Sequence, residues 1–573
     1  QNAIMNNGHM TYFFKVKRGV RQGCPRSPFI FIICIELLSY EVEQNNNIKG
    51  INIESQDIKK TLFADDATFI TDGTENSFTQ LIKVLDNFSY ISGLKLNAFK
   101  CSALRIVSTT HTGVIYLKDR MFQWSSEKAK ALGFIFHINK NRFLNENIEQ
   151  KLEYFRSTLK SWQHRKLSLL GKITILKTFA LPKLLYPLSI LHNPSKDTIK
   201  IISDLMYAFL WDSKPDKISR KQLIRQYGEG GLKMIDINYY INSLKCSWIK
   251  RIFDENNNGQ WKIIYTHVLG KYGGKLLFEC ELNQNIIKYQ FNKKTFIKDI
   301  LLAWTDIRKK ESIPICKQVI WNNKNILVGN KAIFYKEWSD KGINYIEDLF
   351  DYRINQFHSF QYLKELYDLS NREVMHYNQL LSSIPSQWKK CVSKEQINNN
   401  TQTRLINTLF KTKQTNKTLY DHQVNDEDKC DIKAQSKWEK ELEDSEINWK
   451  NTYQNIFKTT IDTKHRNFQY KYLMRIIPTN KLLLKYKIKA SSICDFCGTN
   501  VEEIRHLFWE CAHIQHFWSN IANYLKSVNF SIELNYKTIS LGLENKNNHN
   551  NILAKNFIIL SAKYFIFKKK MLK

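Results

Sequence analysis

Two short apolar arms, Thr61–Ala64 and Ala67–Ile70, flank a pair of adjacent acids early in the chain. The arms are rich in Thr, Phe and Ile, as β-strands are, and the acids stand where a two-residue turn would fall. Neighbouring side chains on a regular strand point to opposite faces, so a turn is where adjacent carboxylates can meet one site. The pattern predicts a hairpin with Asp65 and Asp66 at its tip.

Helical spacing of apolar residues dominates much of the remainder. Pro28 suits a first helical turn and opens an apolar run to Glu43, whose apolar face we expect to pack under a sheet. Residues 78–91 and 145–200 also predict helices. The segment Ala131–Phe136 predicts a strand, in which Gly133 would allow either close backbone approach or a simple glycine bulge.

Later segments differ in polarity. Residues 200–390 carry no motif from which chemistry can be derived. Residues 392–436 are rich in Asn, Gln, Thr and Lys, so they predict a linker or a loosely ordered segment. The chain becomes apolar again from about Trp438, and the stretch Ile552–Lys573 predicts an amphipathic basic helix.

Composition narrows the class of protein. A chain of 573 residues with 43% hydrophobic and 13% aromatic residues predicts several folded domains rather than disorder. Its net charge of +32 favours a polyanionic partner, most often nucleic acid, over a membrane surface. No 18-residue apolar span and no signal sequence are found, so we expect no membrane partner and a nuclear or cytoplasmic location.

Three of the 11 cysteines cluster with a histidine near the end of the chain, in the pattern Cys494-x₂-Cys497-x₈-His506-x₄-Cys511. These ligand types and spacings suit tetrahedral Zn²⁺, and a closed set of four ligands indicates one structural ion rather than a catalytic site. The alternative is a group of buried, unligated residues. His513 and His516 lie close by, which leaves the identity of the fourth ligand open.

Adjacent carboxylates at a hairpin tip are suited to hard cations, and two Mg²⁺ ions can clamp both oxygens of a phosphoryl displacement. The alternative is a solvated turn. The acids lie between two further blocks, 18–28 (RGVRQGCPRSP) and 92–100 (SGLKLNAFK). In this order and spacing the three blocks resemble consecutive palm motifs of reverse transcriptases, with the closest likeness to non-LTR (LINE-type) retrotransposon enzymes.

The resemblance implies roles for individual residues. It implies that Asp65 and Asp66 bind two catalytic Mg²⁺ (or Mn²⁺) ions, and that Leu132 and Gly133 grip the primer end. Residues implied to contact template or nucleotide are Arg21, Gln22, Gly23, Ser27, Pro28, Gly93 and Lys100. Basic residues of a thumb implied to contact the nucleic-acid backbone are Lys160, Arg165, Lys166 and Lys172. For these four, a solvated basic helix face is the alternative interpretation.

The resemblance also implies an α+β fold with a partial polymerase palm, an antiparallel sheet with helices, followed by a helical thumb and connector and a small zinc-binding helical domain. A further metal-binding Asp and the fingers would precede the first block, and neither is found here. The expected boundaries are palm 1–140, thumb 141–200, connector 201–391, linker 392–436, zinc-binding domain 437–530 and basic helical tail 531–573.

The implied function is that of an RNA-directed DNA polymerase acting on an RNA template, a DNA primer and dNTPs. One alternative is a catalytically inactive, zinc-containing remnant that binds nucleic acid. A second is a zinc-dependent protein-interaction scaffold, which would bind RNA or DNA without a steep salt dependence.

Overall fold

The computed structural model describes residues 3–15, 23–54, 56–97, 100–104, 123–125, 127–291, 295–392, 404–426, 431–530, 532–543 and 549–572. Arg21 and Gln22 lie outside these ranges. The chain divides into two compact units, the first made of residues 1–147 and 255–274 and the second of residues 148–254 and 275–573.

The first unit combines small strands with helices. Its elements up to residue 137 are β1 (Met5–Asn6), β2 (His9–Met10), α1 (Ser27–Gln44), β3 (Ile51–Ile53), β4 (Gln56–Ile58), β5 (Lys60–Phe63), β6 (Asp66–Phe69), α2 (Glu75–Ser92), β7 (Ser102–Leu104), β8 (Gln123–Ser125), β9 (Lys128–Ala131) and β10 (Phe134–His137). Helix α3 (Lys140–Gln163) crosses the boundary between the units in sequence.

The second unit is mostly helical. The remaining elements are α4 (Leu169–Ile175), α5 (Pro182–Ile190), α6 (Lys196–Trp211), α7 (Arg220–Ile224), α8 (Ile237–Phe253), α9 (Trp261–Gly270, in the first unit), α10 (Gln284–Gln290), α11 (Phe296–Ile307), β11 (Leu327–Val328), β12 (Lys331–Ala332), α12 (Lys336–Asp340), β13 (Phe350–Asp351), β14 (Gln356–Phe357), α13 (Phe360–Tyr367), α14 (Val374–Ser383), α15 (Ser386–Cys391), α16 (Leu405–Lys411), α17 (Thr415–Asp426), α18 (Lys433–Leu442), α19 (Trp449–Thr459), α20 (Thr463–Leu473), α21 (Asn480–Lys485), α22 (Ala512–Ser527), α23 (Tyr536–Leu541) and α24 (His549–Lys570).

Strands pair only two at a time in the described part of the chain. The pairs β1–β2, β3–β4, β5–β6, β9–β10, β11–β12 and β13–β14 are antiparallel, and β7–β8 is parallel. The fold is therefore mixed helix and small sheets, as predicted at that coarse level. The single antiparallel sheet expected for residues 1–140 is not found in the described ranges, where the strands form separate pairs and one of these pairs is parallel.

Helices α1 and α2 form the core of the first unit, where Leu38 and Val42 pack with Leu81, Leu85 and Phe88. The start of α1 at Ser27 confirms the helix predicted from Pro28. Its first half does not pack as expected, because Phe29 and Ile33 are both 68% exposed. The apolar face of α1 is thus buried only toward its C-terminal end.

Residues 404–426 correct the prediction of a linker. They form α16 and α17, and Leu409 and Leu419 are fully buried. Helix α17 packs along α8, where the Gln423 side-chain amide donates to Tyr239 O at 3.1 Å and to Ser243 Oγ at 3.1 Å. The polar residues of this segment serve contacts between helices, which composition alone does not reveal.

Helices α4 and α5 are joined through a π-helical segment, Leu176–Ala180, and Pro182 begins α5. No single helix in the described ranges is long and apolar enough to cross a membrane. The bent pair Leu169–Ala180 and Pro182–Ile190 passes the same test by length and composition.

Near the end of the chain, α24 packs against α19 and α20. This helix confirms the one predicted from residue 552 onward. Two of its lysines, Lys563 and Lys570, are buried rather than solvated, because each meets acceptors inside the domain.

Candidate metal centre and acidic hairpin

Strands β5 and β6 form the predicted hairpin, with Phe63 opposite Asp66. Its turn is Ala64–Asp65, one residue earlier than expected, so Asp66 already belongs to β6. Ala64 has φ of 51°, in the left-handed region that tight hairpin turns require. Both aspartates are exposed to solvent.

The base of this hairpin is fixed to the C-terminal half of α1 by two buried lysines. Lys60 Nζ donates to Ser39 O and, at 2.6 Å, to Glu43 Oε2. Lys59 Nζ donates to Glu43 O and Asn45 O, each at 3.0 Å. One of these acceptors, Glu43 O, lies among the last four carbonyls of α1, which have no partner within the helix. The tip carrying the acids therefore stands on an anchored base.

The residues implied to contact template or nucleotide occupy turns and helix ends of the first unit. Gly23 has φ of 82°, and Ser27 and Pro28 begin α1. Gly93 ends α2 with φ of 72°, and its N–H donates to Ser89 O at 3.0 Å. Lys100 is exposed. The left-handed conformation of Gly93 gives it a capping role that accounts for a glycine there without a ligand.

Leu132 and Gly133 form a turn, which corrects the prediction of a continuous strand over Ala131–Phe136. Their φ angles are 50° and 78°, and Phe134 pairs with Ala131 across the turn. Two positive φ angles are what a tight hairpin turn between twisted strands needs. The fully buried Asn147 holds the hairpin through both the N–H and the carbonyl of Ile135.

Three of the four predicted thumb cations, Lys160, Arg165 and Lys166, are exposed. The Arg165 guanidinium lies 4.2 Å from the ring centre of Trp162. Lys172 corrects the prediction, because its side chain is 5% exposed and its Nζ donates to Asp212 Oδ1 at 2.6 Å. It faces inward on α4, so it is a structural ion pair and not a phosphate contact.

The four predicted zinc ligands converge. One ligand atom from each of Cys494, Cys497, His506 and Cys511 lies within 4.8 Å of all the others. Cys497 Sγ and His506 Nε2 are 3.3 Å apart. Edges of about 3.8 Å are expected for thiolates around a tetrahedral Zn²⁺. The histidine of the cluster is His506, while His513 and His516 are exposed on α22.

A π-helical turn, His506–Glu510, brings the second pair of ligands together. The Cys511 N–H donates to His506 O at 3.0 Å, which is the bond between residues five apart that defines this turn. In an α-helix, residues five apart lie about 140° apart around the axis. The wider turn brings His506 and Cys511 nearer the same side, which explains the x₄ spacing.

The thiols respond to different surroundings. A hydrogen bond with the Thr499 side chain, supported by the backbone at Asn500, lowers the pKa of Cys497 to about 5. Burial, with Cys511 nearby, raises the pKa of Cys494 to about 12. A dication offsets the cost of ionising such a buried thiol. Three cysteines and one histidine around one point therefore fit a closed, structural zinc site.

A buried polar network that the motif did not reveal lies behind this cluster. Glu502 is fully buried; its carboxylate accepts from Asn480 N at 2.8 Å and from Lys570 Nζ. Lys570 also donates to Asn480 Oδ1 at 2.9 Å and lies 4.0 Å from Asp495, inside the first Cys-x₂-Cys loop. A sequence signal existed, since Lys563 and Lys570 stand seven residues apart and so lie on one face of the helix.

The two candidate sites differ in completeness. Within the described ranges, the Cys/His cluster is the one group that brings three or more potential metal ligands together. The acid pair therefore does not make a three-ligand site with other described side chains.

Comparisons with known proteins agree with these two regions. Residues 2–136 match the family of reverse transcriptases (RNA-dependent DNA polymerases), and residues 432–518 match the family described as zinc-binding in reverse transcriptase. The retrovirus-related Pol polyprotein from the type-1 retrotransposable element R2 of Popillia japonica is 26% identical over 194 residues. That alignment covers 33% of this chain and 26% of the relative, so the chain spans about a quarter of its length.

The matches show a segment similar to reverse transcriptases, followed by a segment similar to the zinc-binding module of such enzymes. More narrowly, they support a reverse transcriptase of the non-LTR retrotransposon type, which confirms the resemblance predicted from the motifs.

Proposed function

We propose that this chain is part of an RNA-directed DNA polymerase that extends a primer 3′-OH on an RNA template. The observation that carries the proposal is an exposed pair of aspartates on an anchored hairpin, within the 135 residues that match reverse transcriptases. An exposed tip leaves both carboxylates free to meet a bound triphosphate. Because the base of the hairpin is anchored to α1, the two carboxylates are held in place.

Asp65 and Asp66 would hold divalent ions, with a further carboxylate supplied from outside the described residues. When bound, two Mg²⁺ or Mn²⁺ ions would neutralise the charge that develops on the α-phosphate and on the leaving pyrophosphate. The carboxylates themselves would fix the positions of these ions. The roles of Gly23, Ser27, Pro28 and Lys100 at template or nucleotide remain part of this proposal.

Nucleic acid would be held largely by charge. Lys160, Arg165 and Lys166 are exposed cations on and after α3, suited to sequence-independent contact with phosphates. The net charge of +32 supports the same partner class. We propose palm 1–140, thumb 141–200 and connector 201–391 as the polymerase regions, and an intracellular, nuclear and cytoplasmic location.

RNA-templated primer extension tests the proposal. The protein should be expressed with whatever coding sequence precedes Gln1, and assayed as wild type and as Asp65→Asn. We expect the substitution to lower Mg²⁺-dependent extension by about 1,000-fold or more, because one neutral side chain weakens the ion site where charge develops. Glu75→Gln, an exposed acid at the start of α2, is the control and should keep full activity. Full activity in Asp65→Asn would remove the metal role.

A second candidate function is nucleic-acid binding without polymerisation, favoured by the absence of a third carboxylate near the acid pair among the described residues. It predicts tight, salt-dependent binding of RNA or DNA, with no extension by the longest available protein. Extension that depends on Asp65 excludes it.

A further inference from the structure

The turn that follows α21 presents an aromatic and basic surface. Tyr486 is 60% exposed and Ile488 69% exposed, and the lysines on either side of Tyr486 are also exposed. Lys487 is left-handed, with φ of 57°, and its N–H donates to Leu484 O at 2.8 Å. The Ile488 N–H donates to Leu483 O at 2.9 Å. The backbone is thus fixed while the side chains face solvent.

Positive charge at this turn is not neutralised locally. Residues 484–494 contain three lysines and no acid. Lys489 pairs with Asp495 at 2.8 Å, whereas Lys485 and Lys487 pair with no carboxylate in the part of the chain that the structure describes.

The last turn of α24 carries further exposed lysines in the same module. Lys570 on α24 donates to Asn480 Oδ1 at the start of α21, so the ends of the two elements are tied together. Next to it in sequence, Lys568 and Lys569 are exposed. We call the surface formed by residues 484–488 the basic rim.

The side of the zinc module at His506 differs from this turn, because its charged side chains are paired with one another. A cavity of about 570 Å³ there is lined by Glu441, Glu503 and Glu510, with Arg505 as its single fixed cation. Arg505 is itself paired with Glu510 at 2.7 Å. Glu441 is paired with Arg475 and Glu503 with Lys481, so the charges on this side are balanced, whereas Lys485 and Lys487 pair with no carboxylate in the described ranges.

Charge alone does not distinguish a duplex from a single strand, but exposed apolar groups do. Tyr486 offers a ring face, with Leu484 and Ile488 beside it, and such groups gain contact only when a base is unpaired and free to stack. We propose that the basic rim binds single-stranded nucleic acid, with Tyr486 stacking on a base and Lys485 and Lys487 contacting the flanking phosphates. The inference deepens the proposed function by naming the form of nucleic acid that the zinc module holds.

Fluorescence anisotropy of the zinc-loaded chain with a labelled oligo(dT) 12-mer tests the proposal. Tyr486→Ala should weaken binding by about tenfold without changing its salt dependence, since stacking releases no counterions. Lys485→Gln with Lys487→Gln should reduce the slope of log affinity against log salt by about 1.4, at about 0.7 for each phosphate contact. A hairpin duplex of the same length should show no loss from Tyr486→Ala.

The same module supplies matched controls. Tyr524 is 67% exposed and Lys526 is exposed, both on α22. Tyr524→Ala and Lys526→Gln should leave affinity and salt slope unchanged. Equal losses from Tyr486→Ala and Tyr524→Ala would overturn the assignment of the rim.

Photocrosslinking distinguishes binding at the basic rim from strong binding elsewhere in the chain. An oligonucleotide carrying 5-iodouracil should crosslink to Tyr486 and not to Tyr524, as mapped by mass spectrometry. Absence of a Tyr486 crosslink, with crosslinks at other residues, contradicts the proposal. Neither assay needs polymerisation, so both test the basic rim alone. The polymerase proposal is tested separately, by Asp65→Asn in primer extension.

Discussion

The acidic hairpin and the Cys/His cluster are two candidate metal sites built in contrasting ways. The cluster gathers four ligands within 18 residues, mostly buried, with all ligand atoms within 4.8 Å of one another. The hairpin presents two exposed carboxylates and gains no third from the described residues. One site is closed by its own chain, and the other is left open toward solvent.

The difference follows from what each ion requires. A structural Zn²⁺ takes its whole coordination from protein side chains, so a short segment with tight turns can supply it. Mg²⁺ keeps waters and shares its coordination with substrate phosphates, so the protein supplies only one or two carboxylates from any element. A local motif therefore predicts the first kind of site completely and the second only in part.

The largest expected effect is on the closed site. Cys497→Ser should remove bound zinc and unfold residues 480–520, because metal binding there contributes folding free energy on the order of 10 kcal/mol. Zinc content by elemental analysis and hydrogen exchange across the module measure both effects. Cys391→Ser, an exposed cysteine outside the module, is the control. One zinc per chain in Cys497→Ser would contradict the ligand set.

The network behind the cluster should matter next. Lys570→Met leaves the buried Glu502 carboxylate without its cation, and outer partners of a metal site typically contribute 10–100-fold in affinity. We expect zinc affinity to fall by about that factor in competition with a chromophoric chelator. Substitution of the exposed neighbour, Lys569→Met, should leave the zinc affinity unchanged. Equal affinity in both variants would show that the cluster does not depend on α24.

The base of the acidic hairpin offers a comparison of similar kind. Lys60→Met removes the donor to Ser39 O and Glu43 Oε2, which should destabilise the first unit by about 1–3 kcal/mol because hydrogen bonds from a charged donor are lost. Zinc content should stay unchanged, since the cluster belongs to the other unit. Hydrogen exchange of β5 and β6 measures the loss, and unchanged protection there would mean that the hairpin does not need this anchor.

The smallest effect concerns the hairpin tip. Ala64→Gly relieves a left-handed alanine and should stabilise the hairpin by about 0.5–1 kcal/mol, less the extra freedom of glycine in the unfolded chain. Thermal unfolding of the first unit measures the change. Ala67→Gly, in β6, should instead destabilise it. A loss of stability in both variants would indicate that the turn differs from the one described.

Sequence patterns predicted the elements that depend on local periodicity and missed those set by neighbours. The helix from Pro28, the β5–β6 hairpin and the Cys/His cluster followed from spacing. The turn at Leu132–Gly133 and the one-residue shift at Ala64 depend on φ angles that an apolar pattern does not encode. Lys172 reads as a surface cation until α6 brings Asp212 to it.

The same dependence on distant neighbours explains two wrong predictions about which residues are buried. Residues 404–426 look like a linker because they are polar. Their polar side chains nevertheless find partners on α8, 180 positions away in sequence. Phe29 and Ile33 look like core because they are apolar, yet no described element covers them. Both depend on which segments meet in space.

The tie between Lys570 and the loop at Glu502 has a consequence during synthesis. All four zinc ligands leave the ribosome about 60 residues before this lysine does. We therefore expect a nascent chain to capture the ion early and to hold it more tightly once the last turn of α24 has folded back. We expect a chain that ends after residue 560, and so lacks Lys570, to acquire zinc and then lose it readily to a chelator.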